Sequence, residues 1–332
     1  MPQRSTDHQE AYGVTHPEAS TVAGQSSTHE RYRKLLASVD NLPAAPTAVA
    51  HPCSASAIAA VVEAAALGLI QPILVGPEAK ILAAAKEAGV DVSPFRLVPA
   101  PHSHAAAAQA VALVRAGEAE LLMKGSLHTD ELMSAVVAAE TGLRTERRIS
   151  HVYLMDVPSY PRPLLLTDAA INIAPSLEDK RDIVQNAIDL ALVMGIASPR
   201  VAILSAVETI TSKLRSTLDA AALCKMAERG QITGGRLDGP LAFDNAISPE
   251  AAREKGIHSD VAGQADILVV PDMEAGNMLA KQLTFLAGAD AAGVVLGARA
   301  PIILTSRADG ERTRIASCAV AVAFAQAKRP RV

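Results

Sequence analysis

Cysteine is scarce in this chain of 332 residues, which contains only Cys53, Cys224 and Cys318. Their spacing matches no metal-binding pattern, and an odd number of cysteines cannot all pair in disulfides. A reduced compartment is the natural setting for such a chain, so we expect a cytoplasmic protein.

Long apolar runs and an excess of positive charge are also missing. No stretch reaches the roughly 18 apolar residues that a membrane-spanning helix needs, and residues 1–30 lack the apolar core of a signal peptide. Nucleic-acid-binding domains leave a basic footprint, whereas this chain has a net charge of −4. We therefore expect neither a membrane nor a nucleic acid as a partner.

Several cofactor and catalytic motifs are absent from the sequence. No GxGxxG follows an apolar strand, and neither a P-loop nor HExxH nor GxSxG occurs. His102 and His104 are two residues apart, which suits neither a zinc pair on a helix nor most structural zinc sites. The sequence thus predicts no metal centre and no bound cofactor.

Hydrophobic residues make up 49% of the chain, and short apolar strands alternate with helical patterns through most of it. This alternation predicts an α/β fold whose mainly parallel sheets are covered by helices. Residues 1–30 are polar and show no periodicity, so we expect a disordered tail there.

Polar clusters follow several of the predicted strands. Lys124 begins a turn rich in hydrogen-bond donors, residues 271–277 (PDMEAGN) follow one apolar strand, and residues 305–309 (TSRAD) follow another. Ligands bind outside the carboxyl ends of strands in open α/β sheets, and helix N-termini attract anions. These turns therefore predict a site for an anionic substrate.

Arg307 is the strongest single candidate for a phosphate contact, because a guanidinium keeps its charge and binds phosphate through a planar fork of donors. Ser306 can donate a hydrogen bond to an oxygen on which charge develops, or it can cap the last helix. Asp309 can act as a general base, or it can stabilise the helix N-terminus. We predict Ser306, Arg307 and Asp309 as the catalytic residues.

Residues 271–277 (PDMEAGN), 305–309 (TSRAD) and 238–245 (DGPLAFDN) together resemble the signatures of the phosphate acetyltransferase/phosphate butyryltransferase family. The likeness extends over about residues 48–325, with the segments in the family's order. Members of that family move an acyl group between coenzyme A (CoA) and inorganic phosphate. The resemblance implies two α/β domains with a cleft between them, in a fold like that of isocitrate and isopropylmalate dehydrogenases.

The resemblance also implies how the chain is divided and what it does. Residues 31–148 with 299–332 would form the first domain, and residues 149–298 the second. The implied activity is reversible acetyl transfer, in which acetyl-CoA and phosphate give acetyl phosphate and CoA within a ternary complex. We expect a homodimer or a larger homo-oligomer that uses CoA as a substrate and needs no cofactor.

Further candidate residues would bind the substrates: Lys124, Arg144, Arg148, Asp244, Asn245 and Asn277. Arg144, Arg147 and Arg148 lie in a segment that resembles the family's GLRT…ISH pattern. They would hold the phosphates of CoA or the transferred phosphate, and a solvated basic turn is the alternative. Where acetyltransferases of the family carry an arginine on the preceding helix, the nearest equivalent here is Met133.

Two aspartates are candidates for the base that accepts the thiol proton, Asp309 and Asp244. In the acetyltransferase branch the corresponding aspartate lies seven residues after the serine, and this chain has Thr313 there. Asp309 instead fits the SRAD form that resembles the butyryltransferase branch.

Three alternative functions remain open at this stage. The same chemistry could act on butyryl-CoA or another short acyl-CoA. A metal- and nicotinamide-dependent decarboxylating dehydrogenase has the same fold, but it would need a cluster of metal-binding aspartates that the sequence does not show. A regulator that binds CoA without catalysis is the third, because Thr313 stands in place of an acidic residue.

Overall fold

A computed structural model describes residues 30–305 and 309–329. Its helices are α1 (Glu30–Val39), α2 (Ala55–Ala66), α3 (Glu78–Ala88), α4 (Ser103–Arg115), α5 (Thr129–Val137), α6 (Leu177–Val193), α7 (Arg215–Glu228), α8 (Phe243–Ile247), α9 (Pro249–Glu254), α10 (Met273–Phe285) and α11 (Glu311–Lys328). Its strands are β1 (Ala45–Ala50), β2 (Ile70–Gly76), β3 (Arg96–Pro99), β4 (Leu121–Lys124), β5 (Ser150–Asp156), β6 (Leu164–Thr167), β7 (Arg200–Leu204), β8 (Arg236–Leu241), β9 (Ile267–Val269), β10 (Asp290–Leu296) and β11 (Ile302–Ile303).

The described strands form one sheet of 11 strands in the order β3-β2-β1-β4-β11-β10-β5-β6-β9-β7-β8. The first five strands in this order are parallel to one another. So are β6, β9, β7 and β8 at the other end. Every residue of β4 and β6 is buried, as expected of strands that helices cover on both faces. The predicted fold class, a mainly parallel sheet covered by helices, is confirmed.

Three antiparallel pairings separate the two parallel groups: β11 with β10, β10 with β5, and β5 with β6. Each pairing reverses the strand direction, so the two groups run in opposite directions. The carboxyl ends of β1, β4 and β11 therefore lie at one edge of the sheet. Those of β6, β9, β7 and β8 lie at the opposite edge.

The hydrophobic core is continuous on one face of the sheet and divided on the other. Leu121 and Leu165 belong to one cluster that extends beneath both parallel groups. Their neighbours in sequence point to the other face, because side chains alternate along a strand. There Leu122 belongs to one cluster and Leu166 to another. This division leaves room for a groove on that face. The division into two domains, residues 31–148 with 299–332 and residues 149–298, stays a prediction.

Local signals in the sequence explain the helix ends that matter for the site. Ser54 caps α2, since its side chain accepts a hydrogen bond from the N–H of Ala57. Asp272 caps α10 in the same way through Ala275. Ser176 and Asp179 form a complete capping box at the start of α6, as their spacing predicts.

The described helices include none that is both long and apolar enough to cross a membrane. Within the same residues, no group of three or more His, Cys, Asp or Glu side chains is arranged to hold a metal ion.

Candidate active site

A cavity of about 360 Å³ opens at the carboxyl ends of β1, β4 and β11. We refer to it as the Lys124 cavity. Its walls come from the start of α2, the turn after β4, the end of β11 and one side chain of α11: Ser54, Ser56, Ala57, Met123, Lys124, Gly125, Ser126, Thr305 and Arg314. The parallel pairing of neighbouring strands brings these segments together, because it places their carboxyl ends at one edge.

Close backbone contact fixes the turn that begins at Lys124. The N–H of Gly125 donates to the carbonyl of Ala50 over 2.9 Å, and the N–H of Ser126 donates to the carbonyl of His51 over 2.9 Å. A Cβ at Gly125 would lie 2.5 Å from both carbonyl oxygens, so only glycine fits there. The Ser126 hydroxyl accepts from the N–H of Cys53 over 3.0 Å, which ties the turn to the segment that leads into α2.

Two buried cations line the Lys124 cavity. Lys124 is 6% exposed and Arg314 is 7% exposed. Backbone carbonyls orient both groups: the Lys124 Nζ lies 3.3 Å from the oxygen of Leu127, and the Arg314 Nη1 donates to the oxygen of Ser56 over 2.7 Å. None of the described residues that line this cavity is acidic. The cavity is therefore suited to an anion.

A second, larger cavity of about 890 Å³ extends along α5, which we call the Arg144 groove. Thr129 at the start of α5 and Val137 at its end both line it. Nine helical residues span about 14 Å at 1.5 Å per residue, so the groove is elongated. On its other side lie Arg144, the loop after β6 and Met273 at the start of α10.

Arg144 is the cation that the groove leaves available for a ligand. Among the described residues its exposed guanidinium has no hydrogen-bond or ion-pair partner. The other arginines of the groove are paired. Arg147 lies 2.6 Å from the Asp189 carboxylate, and Arg181 lies 2.9 Å from that of Asp182. The backbone bridge between Arg144 and Ala298 positions Arg144 beside the end of β10.

Arg148 also lines the groove, but its side chain is engaged with the protein. Its Nε donates to the Asn172 Oδ1 over 2.6 Å and lies 3.4 Å from Asp179. The backbone N–H of Arg148 donates to Asp182 over 2.9 Å. These contacts hold the start of β5 against α6. The predicted substrate contact of Arg148 stays a prediction.

Asp168 organises the loop on the groove's far side. Its carboxylate accepts hydrogen bonds from the backbone N–H groups of Ala170, Ile171 and Asn172 and from the Asn172 side chain. Asp168 is 3% exposed, and burial raises the pKa of its carboxyl although these hydrogen bonds oppose the shift. Because Asn172 also accepts from Arg148, the loop connects Asp168 to the arginine segment.

Asp309 acts electrostatically on a tyrosine of the central strand β5. Burial, and then the negative charge of Asp309, raise the pKa of Tyr153 on β5 to about 12. The Tyr153 ring packs edge to face against His151, with the ring centroids 4.3 Å apart. The charge of Asp309 is therefore felt at β5, one of the central strands in the sheet order. Its role as a base stays a prediction.

The other predicted contacts lie on the second half of the sheet. Asn277 of α10 donates to the carbonyl of Ala169 over 3.3 Å. Asp244 is more than half exposed and lies 3.5 Å from the Lys255 Nζ. Asn245 is fully buried and donates to Glu208. Asp244 and Asn245 line neither the Lys124 cavity nor the Arg144 groove.

Ser306 and Arg307 lie outside the described residues, so their predicted roles are untested. The residue before them, Thr305, lines the Lys124 cavity. The structure thus brings Lys124 close to the start of this segment, and it brings Arg144 and Arg148 together in the groove. One turn connects the two sites, because residues 124–126 line the cavity and residues 129–130 line the groove.

Reasoning from the sequence missed Arg314 and Asp168. Asp168 was visible as a carboxylate at the end of a buried strand, the same signal that singled out the other turns. Arg314 had no such signal, because it lies within a helix and nothing in its spacing distinguishes it from a surface residue.

Comparison with known proteins identifies the family. Residues 100–322 match the family model described as "Phosphate acetyl/butaryl transferase". The chain is 66% identical over 299 residues to a phosphate acetyltransferase of Rhizobium meliloti, which covers 90% of this chain and 95% of that protein. It is 41% identical over 294 residues to a phosphate butyryltransferase of Clostridium acetobutylicum, which covers 89% of this chain and 98% of that protein.

A solved structure agrees with these sequence matches. The chain superposes on a branched-chain phosphotransacylase from Enterococcus faecalis with a TM-score of 0.74 and 30% sequence identity. The match covers 85% of this chain and 99% of that one. The family resemblance drawn from the three sequence segments is confirmed. The chain is an acyltransferase and belongs to the phosphate acetyl/butaryl transferase family.

Proposed function

We propose that this protein is a phosphate acetyltransferase, which reversibly converts acetyl-CoA and inorganic phosphate to acetyl phosphate and CoA. One observation carries the choice of acyl group: the identity to an acetyltransferase is 66%, against 41% to a butyryltransferase, over nearly the same length. The geometry supports a reaction between two anionic substrates, since one elongated groove and one smaller cationic cavity share a turn.

In this proposal the Arg144 groove binds CoA. CoA is long and carries phosphates at one end, so it needs an elongated site with a cation available for them. The groove supplies the length along α5, and Arg144 supplies the positive charge. Arg144 is exposed, as is suitable for a contact to the charged end of a ligand that extends to solvent.

The reaction itself is proposed to take place beside the segment that begins at Thr305. In the direction of acetyl phosphate formation, a phosphate oxygen attacks the thioester carbonyl carbon. The carbon–oxygen bond forms, the carbon–sulfur bond breaks, and the CoA thiolate leaves and takes up a proton. Arg307 would hold the phosphate, and Ser306 would donate to the carbonyl oxygen as negative charge develops on it.

A base is needed in the reverse direction, because a thiol with a pKa of about 8.5 is mostly protonated at neutral pH. Asp309 is the proposed base, since its charge acts on Tyr153 of the central strand β5, whereas Asp244 pairs with Lys255. Positioning of both substrates in one ternary complex can supply roughly 7–11 kcal/mol of the barrier reduction.

The direct test is phosphate-dependent release of CoA from acetyl-CoA, followed with a thiol reagent. We expect turnover with acetyl-CoA that exceeds turnover with butyryl-CoA at equal concentration. Faster turnover with butyryl-CoA would reassign the protein to the butyryl branch of the family. CoA binding by calorimetry without any turnover would replace the proposal with a regulatory role.

We further propose a cytoplasmic homo-oligomer. The three cysteines form no disulfide, in keeping with a reducing compartment. Met278, Phe285 and Leu286 of the α10 region are 65%, 75% and 82% exposed, and an apolar cavity of about 570 Å³ lies beside them. Exposed apolar patches of this kind mark protein interfaces. Light scattering should give at least a dimer, and the double substitution Phe285→Lys and Leu286→Glu should produce a monomer.

A further inference from the structure

We propose that His151 is a positioning residue for the reaction, because its ring separates strand β11 from β10 and so directs the segment after Leu304 into the Lys124 cavity. This inference rests on the proposed acetyltransferase function, in which Ser306 and Arg307 of that segment contact the reacting groups. His151 pairs with Val295, which belongs to one cluster of the divided core, so its side chain lies on the divided face of the sheet. Only 1% of its surface is exposed.

The pairing of β10 with β11 is short. It comprises two residue pairs, one of which joins Val294 to Ile303. The next pair in the same register would join Gly293 to Leu304, but β11 ends at Ile303. Strand β10 continues and stays paired with β5. The chain of β11 therefore departs from β10 at Leu304, one residue before Thr305 enters the wall of the Lys124 cavity.

The His151 ring occupies the place where the two strands part. A Cβ added to Gly293 would lie 2.8 Å from the His151 Nε2 and 3.3 Å from the carbonyl oxygen of Leu304. The ring and this carbonyl thus adjoin the same point above Gly293, and only a residue without a side chain leaves space for the ring. The ring also packs edge to face against Tyr153, with the centroids 4.3 Å apart, so it is held in this place.

The backbone N–H of Gly293 is engaged by α11 at the same point. It donates to the Ser317 Oγ over 2.9 Å, and the Ser317 hydroxyl donates to the carbonyl of Thr313 over 2.6 Å. Ser317 is fully buried. A buried backbone donor needs a partner, and the serine supplies one where the pairing with β11 has ended. The separation of the strands therefore leaves this donor of β10 satisfied.

The shape of the imidazole, and not a proton transfer, accounts for this role. Burial lowers the pKa of His151 to about 3, so the ring is neutral at the pH of the reaction. Its Nδ1 is buried and has no hydrogen-bond partner among residues 30–305 and 309–329. The His151 carbonyl accepts from the Thr167 Oγ1 over 2.7 Å, which fixes the backbone to β6. A neutral ring on a fixed backbone is suited to act as a rigid spacer.

Variants at position 151 test the proposal by steady-state kinetics. In folded His151→Ala we expect kcat to fall at least tenfold and the phosphate KM to rise, because a small displacement of the reacting groups costs much of the rate. The Kd for CoA, measured by calorimetry, should stay within twofold of the wild type. His151→Leu keeps most of the bulk without either nitrogen and should retain kcat within threefold. His258→Ala, at an exposed position, is the matched control and should change none of these constants.

Gly293→Ala tests the same contact from the other strand. The added Cβ would displace the His151 ring, so we expect at least a tenfold fall in kcat. In the His151→Ala background the same substitution should change kcat less than threefold, because the obstructing ring is absent. Equal losses in the two backgrounds would show that the ring is not the obstacle and would overturn the proposal.

Equal losses of kcat in His151→Leu and His151→Ala would assign the role to the imidazole nitrogens and would also overturn it. So would a folded His151→Ala protein with wild-type constants. If His151→Ala does not fold, His151→Leu and Gly293→Ala decide by the same criteria. Wild-type protein without phosphate-dependent turnover would refute the proposed function instead. Amide hydrogen exchange at Leu304 and Thr305 would then test the spacer alone: we expect faster exchange in Gly293→Ala than in the wild type, and equal exchange would contradict the proposal.

Discussion

Lys124 and Arg314 are 6% and 7% exposed and are oriented by backbone carbonyls, whereas Arg144 and Arg148 on the groove are exposed. The groove also contains paired arginines, and acidic side chains line it among them. The cations of the Lys124 cavity are held in place and shielded from water, whereas Arg144 and Arg148 of the Arg144 groove are in contact with water and with nearby acidic side chains. We therefore expect an anion in the cavity to interact with its cations more strongly than a charged group in the groove does, because burial reduces screening by water and salt.

The largest expected effect on the rate comes from a substitution in the Lys124 cavity. Lys124→Gln removes a charge-assisted contact, which is worth about 1.5–3 kcal/mol, so kcat/KM for phosphate should fall about 100-fold. Lys86→Gln, at an exposed position on α3, is the control and should leave the rate unchanged. A fall of less than threefold for Lys124→Gln would mean that its burial serves only the fold.

The separation of the two sites can be tested with a double-mutant cycle. Lys124→Gln and Arg144→Gln should act additively on kcat/KM, because the two residues lie in separate cavities. Strong coupling between Lys124 and Arg144 would show that one ligand contacts both.

Asp168→Asn should destabilise the protein by about 1–3 kcal/mol. The two carboxylate oxygens of Asp168 accept hydrogen bonds from four donors, and an amide has only one oxygen to accept them. Urea unfolding followed by circular dichroism measures the change. Asp91→Asn is a suitable comparison, since that carboxylate caps an exposed turn through Ser93, and we expect it to cost less. Equal stability of Asp168→Asn and wild type would contradict the assigned role of the loop.

On the groove, Arg144→Gln should lower kcat/KM for acetyl-CoA about tenfold, the effect of one charged contact worth roughly 1.4 kcal/mol. Arg148→Gln should change this constant less, because the Arg148 Nε is bound to Asn172. The two variants make the same chemical change at two positions of the groove. A larger effect for Arg148 would reverse the assignment of the available cation.

The smallest predicted effect concerns pH. A hydrogen bond that the protonated Glu63 carboxyl donates to the neighbouring Glu311, followed by burial, raises the pKa of Glu63 to about 7. A carboxyl whose pKa is raised by folding stabilises the protein below its unfolded pKa, and this stability is lost as the pH rises through about 7. The melting temperature of the wild type should therefore fall as the pH rises from 4.5 to 7. In Glu63→Gln this part of the slope should disappear, and an unchanged slope would refute the assignment.

Most of the fold and part of the site could be predicted from the sequence. Strand β4 is a short apolar run between Glu120 and Gly125, so its bounds are clear in the sequence. Lys124 could be placed at the end of a strand for that reason. Strand β8 was not predicted, because Gly239 and Pro240 disfavour a strand and are tolerated only since β8 lies at the sheet edge. The reversed direction of the second group of strands was not predictable either, because strand pairing depends on contacts that are distant in sequence.

Burial was the main property that the sequence did not reveal. Arg314 and Arg144 both have polar neighbours in the sequence. In the structure Arg314 is buried, with 7% of its surface exposed, whereas Arg144 is exposed to solvent. Only the packing of α11 against the sheet and α2 distinguishes them.

The central claim is that phosphate is gathered beside the segment that starts at Thr305, and Arg307→Ala tests it most directly. The initial rate of CoA release from saturating acetyl-CoA should be measured against phosphate concentration for this variant and for the wild type. The account predicts a phosphate KM at least tenfold higher in the variant, with an acetyl-CoA KM close to that of the wild type. Full activity of Arg307→Ala at limiting phosphate would contradict it.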